Sequence, residues 1–269
     1  MSYEINDAEF KRLSSLLYDI AGISLSDAKK MLLTGRLSKR LIALGLTTYT
    51  QYFKYVTDEA NSDELQFMVD LLTTNETYFF REPQHFDFLK EILPSIICEG
   101  QTFRVWSAAA SIGAEAYTIA MVLADKLGEE GAWEILGTDI SNSVLAQAQR
   151  GHYRIAEADK IPIPYLKKYC LKGKGEQEGT FLIDKKLRRH VNFEQMNLNV
   201  DGIKRVGDFD VIFLRNVLIY FDVPTKQRVI ANLIPCLKKR GYLIIGHSES
   251  LNGITDALTL ERPTIYRRL

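Results

Sequence analysis

Three cysteines in 269 residues, at 98, 170 and 236, are too few and too unevenly spaced for a disulfide framework or a CxxC zinc site. Each reads as a small buried hydrophobe in a protein of the reducing cytosol. Neither sign of charge is in excess, because 34 basic residues meet 34 acidic ones, so no global field draws the chain to nucleic acid or to an anionic membrane. Any electrostatic partner must be met locally. No apolar run approaches the roughly 18 residues of a membrane span, and the first residues, MSYEINDAEF, are polar and acidic. These absences predict a cytoplasmic protein with no direct membrane insertion. The histidines at 85, 152, 190 and 247 share no local ligand spacing, so no metal site is indicated.

A hydrophobic content of 46% against 25% charge leaves ample apolar residues for a sizeable core, and the length suits two domains. From Asp7 to about Leu72 the apolar residues fall at helical spacing, as in Phe10, Leu13, Leu16, Leu17 and Ile20, then Leu33, Leu37, Leu41 and Leu44. Residues 1–74 are expected to form a helical N-terminal domain. Residues 75–99 follow as a linker, within the run TTNETYFFR from Thr73 to Arg81, and a connecting helix that Pro83 introduces. From residue 100 to 269, strand-like runs (RVWSA, EILGTD, VNFEQMN, FDVIFL, YLIIGHS) alternate with helical ones, which predicts an α/β fold with a mainly parallel sheet. Between 161 and 187 the rhythm breaks at Pro162, Pro164, Gly173, Gly175 and Gly179, and short apolar runs there suggest a small antiparallel β insert.

The segment from Arg104 to Asp139 reads as strand, turn, helix, strand and acid, the layout of a nucleotide-type pocket. Its turn, SAAASIGAEAYT, carries only Gly113, whereas a pyrophosphate cradle requires several glycines. The acid at the end of the second strand is kept. A ribose is therefore accommodated and a pyrophosphate is not, and a nucleoside such as S-adenosylmethionine fits best. Asp139 is the candidate ribose ligand, its alternative being a cap for the helix that follows. Glu115 either offsets the dipole of its helix or accepts from the cationic amino group of a bound amino-acid moiety. FLRNVLIYF puts Arg215, Asn216 and Tyr220 at the same rim, and Asn197 with Leu198 at a comparable position, where an amide and an apolar side chain would bracket an adenine.

Two tempting motifs fail. Gly246-His247-Ser248-Glu249-Ser250 approaches a nucleophile elbow, but its last glycine is serine and no histidine follows. The glycines at 173, 175 and 179 have the wrong spacing for a dinucleotide loop and open no helix. Lys29, Arg36, Lys39 and Arg40 form a basic stripe opposite the leucines of the helical domain, and no acid occurs from Ala28 to Thr57. Such a stripe is either a solvated helix face or a local field suited to an acidic partner.

TTNETYFFRE, FRVWSAAASIGAEAYTIA, GTDIS, FLRNVLIYF and GHSE resemble, in order, the signatures of the chemotaxis receptor glutamate methyltransferases, the CheR family, and the similarity runs through nearly the whole chain. That resemblance implies a Rossmann-like methyltransferase sheet and S-adenosylmethionine contacts at Asn75, Thr77, Arg81, Glu115, Asp139, Asn197, Leu198, Asn216 and Val217. The family commonly has an acid and a proline beside the matched glutamate, where this chain has Ala114 and Ala116. It further implies methyl transfer to glutamate carboxylates of a chemoreceptor cytoplasmic domain, with S-adenosylhomocysteine as product. Lys29, Arg36, Lys39 and Arg40 would face the receptor, and in some members the insert docks a receptor C-terminal peptide by strand addition. A glutamate, with a reference pKa of about 4.3, is already ionised at neutral pH and needs no general base. Arg81 and Tyr220 are expected near the methyl, orienting the incoming carboxylate. The alternatives are a nucleic-acid or other small-substrate methyltransferase, against which stand the missing N/D-P-P-Y/F motif and zero net charge, and a cofactor-binding receptor adaptor without catalysis.

Overall fold

The computed structural model describes residues 4–97, 100–200, 203 and 206–269. Cys98 lies outside them; of the other cysteines, Cys236 is buried and Cys170 half-buried. The N-terminal helices are α1 (Asp7–Ala21), α2 (Lys30–Ala43), α3 (Tyr49–Val56) and α4 (Ser62–Leu72). Asn6 starts α1 with a reciprocal capping box, its side chain accepting from Glu9 N while Glu9 accepts from Asn6 N. The leucines at helical spacing do what the pattern predicts. Leu13, Leu17, Leu33, Leu37 and Leu41 are fully buried in one core with Tyr49, Tyr52 and Met68.

Then come α5 (Gln84–Ile96), β1 (Phe103–Ala108), α6 (Ala114–Leu127), β2 (Trp133–Asp139), α7 (Asn142–Arg150) and β3 (His152–Arg154). After these follow α8 (Ile163–Tyr169), β4 (Cys170–Lys172), β5 (Thr180–Ile183), α9 (Lys185–Arg188), β6 (Val191–Gln195) and β7 (Phe209–Leu214). The chain closes with α10 (Val223–Leu233), β8 (Leu237–Ile245), β9 (Leu258–Arg262) and β10 (Ile265–Arg268).

Among the described residues the main sheet has seven strands in the order β6-β2-β1-β7-β8-β10-β9. The first five are parallel and the β9–β10 hairpin is antiparallel. This is a Rossmann-like α/β sheet behind an all-helical domain, with a separate small antiparallel sheet. Successive residues of β1 and β7 serve opposite faces: Val105, Val211 and Phe213 join the core under α5 and α6, and Trp106, Ile212 and Leu214 join the core under α10. The chain leaves β1 toward β2 on one side, while β7 lies on the other. That switch opens a crevice at the carboxyl ends of the strands.

The small sheet, ordered β3-β5-β4, draws its first strand from His152–Arg154, upstream of the 161–187 interval expected for the insert. A three-residue strand is too short to announce itself by periodicity. The helical domain contacts the sheet domain directly across the crevice: Tyr18 Oη donates to Asp222 Oδ2 at 2.8 Å, Ser24 N to the Tyr220 carbonyl at 3.0 Å, and Ser143 N to Asp70 Oδ2 at 3.1 Å. Gly22 ends α1 at φ 70°, and a Cβ there would stand 2.5 Å from Thr225 Cγ2, so glycine permits this close approach.

Candidate functional site

A single cleft at the strand ends is lined by Asn75, Thr77, Arg81, Glu115, Asp139, Asn197, Leu198, Asn216 and Val217, together with Lys29 and Tyr220. Apart from Lys29, which the helical domain supplies, these residues come from the linker and from the segments that follow β1, β2, β6 and β7, so the sheet topology gathers them. The turn after β1 shows why no phosphate belongs here. Its N–H groups are already committed: Ala109 and Ala110 donate to the Thr138 carbonyl, Ser111 to Asp139 Oδ2, and Gly113 to the Ala110 carbonyl. Four of the turn's N–H groups are thus spent on the protein itself rather than turned toward a pyrophosphate. The turn holds Ala109 and Ser111 at φ 72° and 51°, and Gly113 at 86°, where a Cβ would lie 2.9 Å from that of Ala148. Ala114 and Ala116, the departure from the family pattern, are fully buried on α6.

Asp139 ends β2 and is buried, with Oδ2 accepting from Ser111 N at 2.9 Å and Oδ1 from Ser141 N at 3.0 Å. Burial pushes its pKa up in spite of those bonds. Both oxygens keep lone pairs for a diol, and the carboxylate is fixed before any ligand arrives. Asn197 is less free than expected. Its Nδ2 donates to the Ile20 carbonyl at 2.6 Å and its Oδ1 accepts from Asn199 N, so much of the amide's bonding capacity ties α1 to the cleft floor.

The centre of the site is Arg215, whose side chain is 2% exposed. Its Nη1 donates to Glu115 Oε2 at 2.9 Å, and its Nη2 to Glu82 Oε2 at 3.0 Å and to the Arg81 carbonyl at 2.5 Å. Glu115 Oε1 also accepts from Ser107 Oγ at 2.7 Å. Burial would raise the Glu82 carboxyl, but the hydrogen bond and charge of Arg215, with Asn216 behind them, hold it below the usual range. Glu249 accepts from Gly246 N, Asn216 N and Ile219 N and so holds Asn216 at φ 59°. Burial raises the Glu249 pKa despite these donors.

Glu82, His85, His247 and Glu249 were not singled out as site residues by the sequence. His247 and Glu82 are 165 positions apart, which local ligand spacing cannot reveal, yet Glu82, His85 and His247 converge beside Arg215. Burial first, and then the charge of Arg215, pushes the His85 pKa down to about 3. The one sequence signal was GHSE, which supplies both His247 and Glu249.

Arg81 and Tyr220 both reach the cleft. Arg81 donates to the Glu76 carbonyl at 2.8 Å and stacks over Tyr78, and among the described residues it has no carboxylate partner. Lys29 lies over the Tyr220 ring, 5.4 Å from its centroid. The rest of the basic stripe divides. Arg36 caps α4 by donating to the carbonyls of Leu71, Leu72 and Thr73, and Arg40 pairs with buried Glu64, which also accepts from Tyr52 Oη at 2.9 Å. Both arginines, half-buried, therefore help hold the helical domain together, while Lys39 stays exposed with no internal partner among the described residues.

A mostly parallel sheet with a fixed acid at the end of β2 and a single-glycine turn after β1 is the layout of a Rossmann-like, S-adenosylmethionine-dependent methyltransferase, the class its family match gives. The chain belongs to the CheR family: residues 75–266 match the CheR methyltransferase SAM binding domain and residues 8–73 the CheR all-alpha domain. It is 40% identical over 97% of its length to the chemotaxis protein methyltransferase of Escherichia coli K12, covering 91% of that protein. Likeness to the chemotaxis protein methyltransferase of Borreliella burgdorferi is 37%, over 100% of this chain and 96% of that one. Chemotaxis protein methyltransferase 2 of Pseudomonas aeruginosa is 36% identical over 96% of this chain and 92% of its own.

Proposed function

We propose that this chain esterifies glutamate side chains on the cytoplasmic helices of a chemoreceptor, in the cytoplasm, during chemotactic adaptation. The observation that carries the reading is a cleft that sets two cations, Arg81 and Lys29, beside the phenol of Tyr220, with Glu76 as its exposed acid. Arg81 has no carboxylate partner among the described residues, Lys29 leans on Tyr220, and the near acids Glu115 and Glu82 are engaged by Arg215. A carboxylate nucleophile suits such a site, because it arrives ionised and needs a counter-charge rather than proton removal.

When bound, S-adenosylmethionine supplies a methyl group on a sulfonium centre, and the transfer joins an anion to a cation to leave neutral products. Arg81 and Tyr220 then orient the substrate carboxylate in line, Glu115 accepts from the cofactor's amino group, and Asp139 from its ribose. Asn75, Thr77, Asn197, Leu198, Asn216 and Val217 complete the cofactor walls. Orientation of this kind supplies roughly 7–11 kcal/mol of the barrier reduction. Lys29 and Lys39 present charge to the acidic receptor surface. The edge strand β4, with Leu171 exposed, is open to a receptor C-terminal peptide added as a further strand. Among the described residues no helix is long and apolar enough to cross a membrane.

The test is transfer of radiolabelled methyl to purified receptor cytoplasmic fragments. Base-labile label on glutamate is the expected result. Label on nucleic acid instead, or cofactor binding with no transfer to any receptor fragment, overturns it.

A further inference from the structure

His85 is enclosed, 1% exposed, yet its Nδ1 has no hydrogen-bond partner. The other ring nitrogen, Nε2, lies 2.8 Å from Thr264 Oγ1, and that hydroxyl commits its one proton to the Pro263 carbonyl at 2.6 Å. Nε2 must therefore carry the ring hydrogen and donate it to Thr264, leaving Nδ1 as a bare lone pair. That lone pair faces Glu82 Oε2 at 3.5 Å. Two acceptors opposed on a buried imidazole are unfavourable unless a cation lies between them. The third group is His247, whose Nε2 stands 4.0 Å from the same carboxylate oxygen, and the three ligand atoms all lie within 4.8 Å of one another.

We propose that Glu82, His85 and His247 form a binding site for a divalent transition-metal cation, with Zn2+ the best match. Two imidazoles and one carboxylate are donors this ion takes, and Mg2+, which prefers oxygen and keeps its waters, is disfavoured. Donors about 2.0–2.1 Å from a tetrahedral zinc stand roughly 3.4 Å apart, so the 3.5 and 4.0 Å spans to Glu82 close slightly on binding, and the two imidazoles, within 4.8 Å of each other, draw together by rotation of the exposed His247. Thr264 supplies the outer hydrogen bond that fixes the tautomer of a ligating histidine. The charge balance agrees. Glu82 and Glu115 share the single guanidinium of Arg215, which leaves one negative charge over. His247, its side chain 45% exposed, provides the way in and leaves a coordination position toward solvent.

Calorimetric titration of the metal-stripped full chain with Zn2+, and separately with Mg2+, tests this without any methyl donor. Binding of one equivalent of Zn2+ and none of Mg2+ is expected, with a Kd raised at least about tenfold in His247→Ala. His247 is exposed, so that variant should keep the wild-type circular dichroism spectrum and Tm in the absence of metal. Because His85 is buried, His85→Gln is read the same way only if its spectrum is native. Visible absorption of the Co2+ form should show nitrogen and oxygen ligation with no thiolate charge-transfer band, which separates this site from the cysteines. No Zn2+ binding by the wild type, or a Kd unchanged in His247→Ala, overturns the proposal.

Discussion

Arg215 and Glu115 form a buried ion pair, Nη1 to Oε2 at 2.9 Å, in the wall of the cleft. Because the same guanidinium holds Glu82 and the Arg81 carbonyl, the carboxylate proposed to meet the cofactor and the loop that carries Arg81 are fixed by one side chain. Removing it leaves two carboxylates with no counter-charge. Arg215→Ala should destabilise the protein by about 3–5 kcal/mol and weaken cofactor binding. Arg215→Lys should recover only part of this, since an ammonium cannot bridge both acids through a planar fork. Urea unfolding and cofactor calorimetry on both variants check it, and a Lys variant equal to wild type in both would show that the fork geometry is immaterial.

Much of this site could be read from the chain itself. The strands RVWSA, EILGTD and FDVIFL stood out by their apolar runs, and Glu115, Asp139 and Asn216, which sit at or just beyond their ends, all line the cleft. The helical domain was legible from the spacing of Leu33, Leu37 and Leu41. By contrast, the β9–β10 hairpin was missed because LTLER and IYRR are short and largely polar, with most of β9 facing solvent. Arg215 was seen at the rim but not as the hub, since its partners Glu82 and Glu115 lie 133 and 100 residues away. Charge spacing on α2 could not distinguish Arg40, spent on a buried Glu64, from Lys39 one position earlier and open to solvent.

That division of the stripe changes how the receptor surface is tested. Arg40→Glu would oppose a second carboxylate to Glu64, which is 5% exposed and also bonded by Tyr52, so a loss of about 3–5 kcal/mol in stability is expected. Lys39→Glu touches no internal partner among the described residues and should leave Tm within about 1 °C while lowering receptor methylation several-fold at low salt. Thermal melts beside receptor assays at two ionic strengths separate these effects. Equal methylation by Lys39→Glu and wild type would remove this residue from the docking face.

Glu9 links pH to the helical domain. It accepts from Asn6 N, Thr50 N and Thr50 Oγ1, and these bonds, aided by the charge of Arg12, outweigh burial and hold its carboxyl below the usual range. For an acid lowered on folding, the stabilisation is complete above its unfolded pKa of about 4.3 and is lost as pH falls through the folded value. Glu9→Gln should therefore cost about 1–2 kcal/mol at pH 7, and the gap to wild type should narrow below pH 4. Urea midpoints at pH 7 and 3.5 measure it, and a gap that widens in acid would contradict the assignment.

Arg81 is the residue on which the proposed chemistry turns. Arg81 lines the cleft, and among the described residues its guanidinium is steadied by the Glu76 carbonyl and the Tyr78 ring and meets no acid of its own. If it orients the substrate carboxylate, Arg81→Ala should lower kcat by about 10²-fold with cofactor saturating, the scale of losing one preorganised charged donor. Arg81→Lys should restore the charge but not the two-point geometry, and recover only part of the rate. Tyr220→Phe keeps the ring beneath Lys29 and removes the hydroxyl, so a smaller fall, about tenfold, isolates the hydroxyl from the packing. Single-turnover transfer to receptor fragments at saturating cofactor reads the chemical step directly. Full activity in Arg81→Ala under those conditions would assign the arginine to cofactor binding alone and leave the carboxylate to be oriented by Lys29.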